Sequence, residues 1–200
     1  MVTRETYHLF LRRFPVKSIA ILAVAGLATA ATAQGVSLHF SASATSVNVG
    51  DSVSWTVSAS FTGFNSGTAY YGGHVGSWDA SDAGLGTSGN FANLMGFQGV
   101  PATSAGASVG TINIFNSALL GSDDPANPID IFTFDVATSG AGVLSYGATG
   151  ISTVFPDDDI FTLGQEFTAS VSSDSVNIVP APGAFALLGL GGLAAARRRR

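Results

Sequence analysis

The chain has 200 residues, a formal net charge of −5 and no cysteine, which excludes disulfide frameworks and thiol chemistry. All eight basic residues lie at the two ends, as Arg4, Arg12, Arg13 and Lys17 and then Arg197 to Arg200, while the stretch between holds twelve of the thirteen acids. Nucleic-acid binding, which replaces phosphate counterions with Lys or Arg, is therefore excluded, as are P-loops, arginine clamps and lysine Schiff bases.

Met1 to Ala33 reads as a secretory signal peptide: a basic start, an apolar run from Ile19 to Ala31, and small residues at Ala31-Thr32-Ala33 for signal peptidase cleavage before Gln34. The apolar run is too short for a span of about 20 residues. What remains from Gln34 to Ile178, about 145 residues, is long enough to bury a core without staples.

From Val36 the pattern has period two. Val36, Leu38 and Phe40 alternate with Ser37, His39 and Ser41, and Val47, Val49, Val53, Trp55, Val57, Ala59 and Phe61 share one parity across a turn at Gly50-Asp51. Val109, Ile112 and Ile114 suggest a further strand, as do Phe132, Phe134 and Val136; Ser139 to Gly142 turn into Val143 to Tyr146. Phe167, Ala169 and Val171 read as one late strand, and Val176 with Ile178 as the last. Ser, Thr and Gly at the alternate positions fit antiparallel sheets with one wet face, and many short strands argue for an all-β antiparallel sandwich. The stretch from Thr62 to Gly110 is rich in glycine and aromatics and resists this pattern. Tyr70 to His74 reads as a loop and Asn90 to Gly96 as a short helix, although a structureless loop of this length argues for unresolved strands.

Val179-Pro180-Ala181-Pro182-Gly183 ends the last strand. Thirteen small or apolar residues follow, Ala184 to Ala196, and then four arginines. Thirteen helical residues cover about 20 Å, a marginal span whose arginines stay on the cytoplasmic side. This tail resembles the PEP-CTERM sorting signal, with Ala181 where that motif carries Glu. The resemblance implies a transient membrane anchor, recognition by an exosortase-type protease, and transfer to the cell envelope or an exopolysaccharide matrix. The middle of the chain is similar, through Thr45 to Val53 and Ile131 to Val136, to cohesin-like or jelly-roll-like extracellular sandwiches.

Chemistry-bearing candidates are few. His39 and His74 are the histidines of the middle region, and no nucleophile motif stands beside either. Tyr70, Tyr71 and Trp78 form a candidate sugar-stacking platform, since aromatic rings offer flat apolar faces with polar edges. Asp123, Asp124, Asp130, Asp157, Asp158 and Asp159 are candidate calcium ligands, because hard oxygen donors without neighbouring cations suit that ion. The expectation is a non-enzymatic exported protein for adhesion or structural display, with no catalytic residue. A calcium-assisted carbohydrate-binding module is the first alternative and an exported acid hydrolase, with a carboxylate pair, the second.

Overall fold

The computed structural model describes residues 33–65, 67–94, 96–100, 102–116, 126–156 and 163–181, with Gly183 and Arg197 as single positions. Strands β1 (Gly35–Ala42), β2 (Ser46–Asn48) and β3 (Ser52–Thr62) follow the expected alternation: Val36, Leu38 and Phe40 of β1 and Val53, Trp55, Val57, Ala59 and Phe61 of β3 are buried. The turn between β2 and β3 needs Gly50, which sits at φ +98° where a side chain is strained. The turn is tied down by side chains: Asn48 N–H donates to the Asp51 carboxylate at 2.9 Å, and the Thr138 hydroxyl donates to the Asp51 carbonyl at 2.8 Å.

The glycine-rich stretch is strand, not loop. It forms β4 (Tyr70–Ala80), a 3-10 turn at Ala83–Leu85, β5 (Gly86–Asn93), β6 (Phe97–Val100), β7 (Thr103–Ala105) and β8 (Ser108–Asn116). The expected helix at Asn90 to Gly96 is replaced by the end of β5, where Asn90 at φ 52° interrupts the register and donates through its amide to Asp135 at 2.8 Å. β9 (Ile129–Thr138), β10 (Gly142–Leu144), β11 (Tyr146–Phe155), β12 (Gln165–Phe167), β13 (Ser170–Ser173) and β14 (Val176–Val179) complete the chain. The expected single late strand is two, because β12 pairs with β11 and β13 with β1, in different sheets. β11 was not visible as a strand, since glycine and threonine break its alternation.

The strands form a five-stranded sheet in the order β13-β1-β3-β9-β5, a six-stranded sheet in the order β12-β11-β4-β8-β6 with β7 also on β8, and a small sheet β10-β14-β2. All pairs are antiparallel except β1–β13 and β2–β14. The two large sheets face each other across an aromatic slab. Phe40 of β1 lies 5.6 Å edge-on from Trp78 of β4, and Trp55 of β3 lies 4.8 Å edge-on from Tyr146 of β11. The molecule is thus an all-β sandwich. Both indole N–H groups, of Trp55 and Trp78, are buried without a hydrogen-bond partner among the described residues. The slab therefore holds by ring contact and burial rather than by polar pairing.

Candidate interaction face

The outer face of the six-stranded sheet follows from its registers. β11 and β4 pair Ile151 with Val75, Thr149 with Ser77 and Thr153 with Gly73; β8 then sets Asn113 beside Val75 and Phe115 beside Gly73. Glu166 of β12 adjoins Thr153, and Gln98 of β6 adjoins Phe115. Val75, Ile151 and Phe115 are 57%, 45% and 47% exposed, an apolar group at the middle of a sheet face. Large apolar side chains adjacent on one flat face mark a contact surface more than scattered ones do. Acids lie at its margins: Asp79 and Glu166 are exposed, and no Lys or Arg occurs anywhere from Ser18 to Ala196.

The outer face of the five-stranded sheet is different in kind. Ser37, His39 and Ser41 of β1 lie beside Ser60, Ser58 and Thr56 of β3. Their polar atoms bond along the face. Ser37 meets Ser170 at 2.7 Å, His39 Nδ1 meets Ser172 at 2.9 Å, and Ser58 donates to Asp130 at 2.6 Å. His39 is thus solvent-facing on a polar row.

The proposed sugar platform does not exist. Tyr70, Tyr71 and Trp78 are 8%, 1% and 0% exposed: β4 turns Tyr71 and Trp78 into the sandwich core, and Tyr70, of the opposite parity to Tyr71, is covered by Phe155. Tyr70 stacks on Phe155 at 5.0 Å, and Trp78 meets Phe132 edge-on at 4.8 Å. His74 is likewise no loop residue; it is 1% exposed in β4. Its Nδ1 lies 3.0 Å from the Ser152 hydroxyl, its Nε2 lies 3.1 Å from the Thr149 carbonyl, and Ser152 lies 3.0 Å from the Tyr71 hydroxyl. A base beside a hydroxyl is half of a nucleophilic arrangement. Here Ser152 is 0% exposed and a backbone carbonyl stands where a carboxylate would orient the base, so no substrate reaches the pair. Sequence spacing missed this cluster because Ser152 carries no motif and β11 was not recognised.

Asp130 is exposed and takes the Ser58 hydroxyl. Asp123, Asp124, Asp157, Asp158 and Asp159 lie outside the described residues, and among those described no group of three or more His, Cys, Asp or Glu is placed to hold a metal. Asp135, bonded by Ser54 and Asn90, has its pKa lowered, the direction opposite to that of a general acid. Of the sorting motif, Val179 closes β14 and its carbonyl accepts from Val49 N–H at 2.8 Å; Pro180 and Ala181 follow it. Pro182, the apolar run, and Arg198, Arg199 and Arg200 lie outside the described residues, with Gly183 and Arg197 as isolated positions. At the other end Ala31 is outside them, while Ala33 and Gln34 lead directly into β1. Among the described residues no helix is long and apolar enough to cross a membrane.

No family model matches the sequence, and no curated protein matches it. The fold has clear relatives among solved structures. A cohesin module from a family 33 glycoside hydrolase of Clostridium perfringens matches with a TM-score of 0.54 at 14% identity, covering 74% of this chain and 100% of the module. The seventh ScaB type I cohesin from Pseudobacteroides cellulosolvens gives 0.51 at 13% identity, over 72% of this chain and 94% of that one. The sixth cohesin of scaffoldin B from Acetivibrio cellulolyticus, solved in complex with a Cel5 dockerin mutant, gives 0.50 at 12% identity, over 72% of this chain and 99% of the other. The sandwich is therefore cohesin-like in fold.

Proposed function

We propose that this protein is an exported, non-enzymatic docking and display module, held at the cell envelope or in an exopolysaccharide matrix, that binds a protein partner through the outer face of its six-stranded sheet. The observation that carries this is the exposed group Val75, Ile151 and Phe115 on a sheet face. The likeness in fold to a cohesin solved with a dockerin supports protein docking in general. With Asp79 and Glu166 at the margin and no cation in the domain, the partner surface is apolar at its centre with Lys or Arg around it. The test is a binding assay against material exported by the producing cell, comparing the native protein with Val75→Ser/Ile151→Ser. A partner retained equally by both overturns the assignment of the face. Retention of both on purified exopolysaccharide alone favours a matrix-binding role.

Location rests on the two ends. Signal peptidase cleaves after Ala33, and the tail Val179 to Gly183 with Arg197 to Arg200 directs processing by an exosortase-type protease. Replacing Arg197 to Arg200 by Ser is expected to redistribute the protein among membrane, envelope and medium; an unchanged distribution removes the sorting role.

A calcium role for the acidic segments has one observation in its favour. Asn116, which precedes the segment with Asp123 and Asp124, donates to the Tyr71 carbonyl at 3.2 Å, while Phe155, just before Asp157 to Asp159, pairs with Tyr70. β8 and β11, the strands that precede these segments in the sequence, thus end at the same side of one sheet. Binding to the folded form alone stabilises by about 2.7 kcal/mol at a hundredfold excess over the dissociation constant. The check is a thermal melt with calcium against ionic-strength-matched sodium chloride, where equal midpoints exclude the site.

A further inference from the structure

We propose that His74 is an acid-sensitive lock between β4 and β11: neutral, it ties the two strands together inside the sandwich, and protonated, it releases them. The proposal concerns the six-stranded sheet itself and holds whether or not a partner docks on it.

The lock depends on a bulge. Gly73 pairs with Thr153 while Tyr71 pairs with Val154, so Gly72 is an extra residue in β4. Tyr71 and His74, three apart, consequently both point inward. Thr149 offers His74 only a carbonyl oxygen, so Nε2 carries the proton and Nδ1 is an acceptor. Ser152 must then donate its hydroxyl to Nδ1 and accept the Tyr71 hydroxyl in turn. The chain runs in one direction, from Tyr71 through Ser152 to His74 to the backbone of Thr149. Two members lie on β4 and two on β11, so the network spans a single strand pair.

A proton on Nδ1 sets donor against donor. Ser152 must turn its hydrogen toward the Tyr71 oxygen, which displaces the hydrogen Tyr71 was donating, and a cation is left inside the sandwich. The Trp78 ring, stacked on the imidazole at 6.3 Å, gives it an aromatic face, but no acid among the described residues faces it. On β4, Tyr71 is a buried phenol whose pKa is raised by burial, and Asp79 is exposed and accepts from Ser77. On β11, Tyr146 is a buried phenol donating to the Ala107 carbonyl at 2.7 Å. β8 carries no acid or base, and from the opposing sheet Trp55, Phe40 and Phe134 face the slab while Asp130 and Asp135 of β9 bond outward to Ser58 and Asn90. On β12, Glu166 is exposed. Burial holds the His74 pKa below its ordinary value, with the Thr149 bond opposing more weakly. Parting β4 from β11 is the short route to water, since only the three residues of β12 lie beyond β11.

The experiment is hydrogen–deuterium exchange of the full chain between pH 7.5 and 5.0, corrected for intrinsic exchange. Segments covering Tyr70–Ala80 and Tyr146–Phe155 are read against β1 and β3. Opening of β4 and β11 is expected to become roughly tenfold more frequent per pH unit below about 6.5, down to the folded-state pKa. His74→Gln, which keeps an amide donor for Thr149 and takes no proton, should lose that dependence. Unchanged protection in the native protein, or the same acid response in His74→Gln, overturns the proposal. If His74→Gln does not fold, the imidazole nitrogen resonances of the native protein decide. Protonation of His74 coinciding with opening supports the lock, and a ring still neutral while the strands open overturns it.

Discussion

The two large sheets of this sandwich are built from different sequence material and present different exteriors. The five-stranded sheet is an alternating text of Val, Phe and Trp against Ser and Thr, and its outer hydroxyls bond to one another. The six-stranded sheet carries glycine inside its strands, a buried histidine and serine, and its exposed apolar residues on the outside. The exterior of the five-stranded sheet is mostly polar, with Val171 of β13 as an exposed large apolar residue. A sheet that exposes Val75, Ile151 and Phe115 side by side has an apolar surface of its own. The irregular strands here carry the exposed apolar group, and the regular strands β1 and β3 carry the polar exterior.

Four measurements break or sharpen that contrast. The largest effect should be blind to it: Trp55→Ala in one sheet and Trp78→Ala in the other are each expected to cost about 3–5 kcal/mol in urea unfolding, because both rings fill the shared slab. A large inequality between them would mean that the two sheets do not share one core. Next, one clashing and one open glycine, taken from different sheets, should have opposite signs. A Cβ at Gly76 of β4 would collide with the Thr149 carbonyl, so Gly76→Ala is expected to destabilise by about 1–3 kcal/mol. A Cβ at Gly89 of β5 meets nothing within 4 Å, so Gly89→Ala should be neutral or stabilise by up to about 1 kcal/mol.

The third measurement is stability against pH. His74 is neutral when folded and has a lowered pKa, so the unfolded chain takes up the proton first and stability falls as pH drops below about 6.5, by about 1.4 kcal/mol per unit until the folded pKa is reached. Asp135 of β9 has its pKa lowered chiefly by the Ser54 hydrogen bond, then by Asn90. Its contribution is present above the ordinary carboxyl value of 3.8 and is lost only as pH falls below that. Two separate acid transitions are therefore expected, the six-stranded sheet responding first; a single transition below pH 4 would remove the distinction. The smallest effect is on the outside. Val75→Ser and Ile151→Ser should each change stability by no more than about 0.5 kcal/mol while weakening partner binding, since these side chains pack against little in the free protein.

Sequence alone determined the all-β class, the strands with strict alternation, the turn at Gly50-Asp51 and the location of every charge, because those follow from local periodicity and composition. It also showed two ends that read as addresses. Tertiary structure decided the rest. Whether Tyr70, Tyr71 and Trp78 faced water or the core turned on which strands flank β4, and the flanking carbonyls of β11 and β8 are also what make its glycines necessary. The bulge at Gly72 inverted the parity that would have placed His74 outside, and Ser152 became its partner across 78 positions of sequence. The exposed apolar face is likewise a product of register, since Val75, Phe115 and Ile151 come from three strands that only pairing brings together. Local pattern reports what a residue prefers beside its chain neighbours; burial in a sandwich is set by neighbours that are distant in the chain.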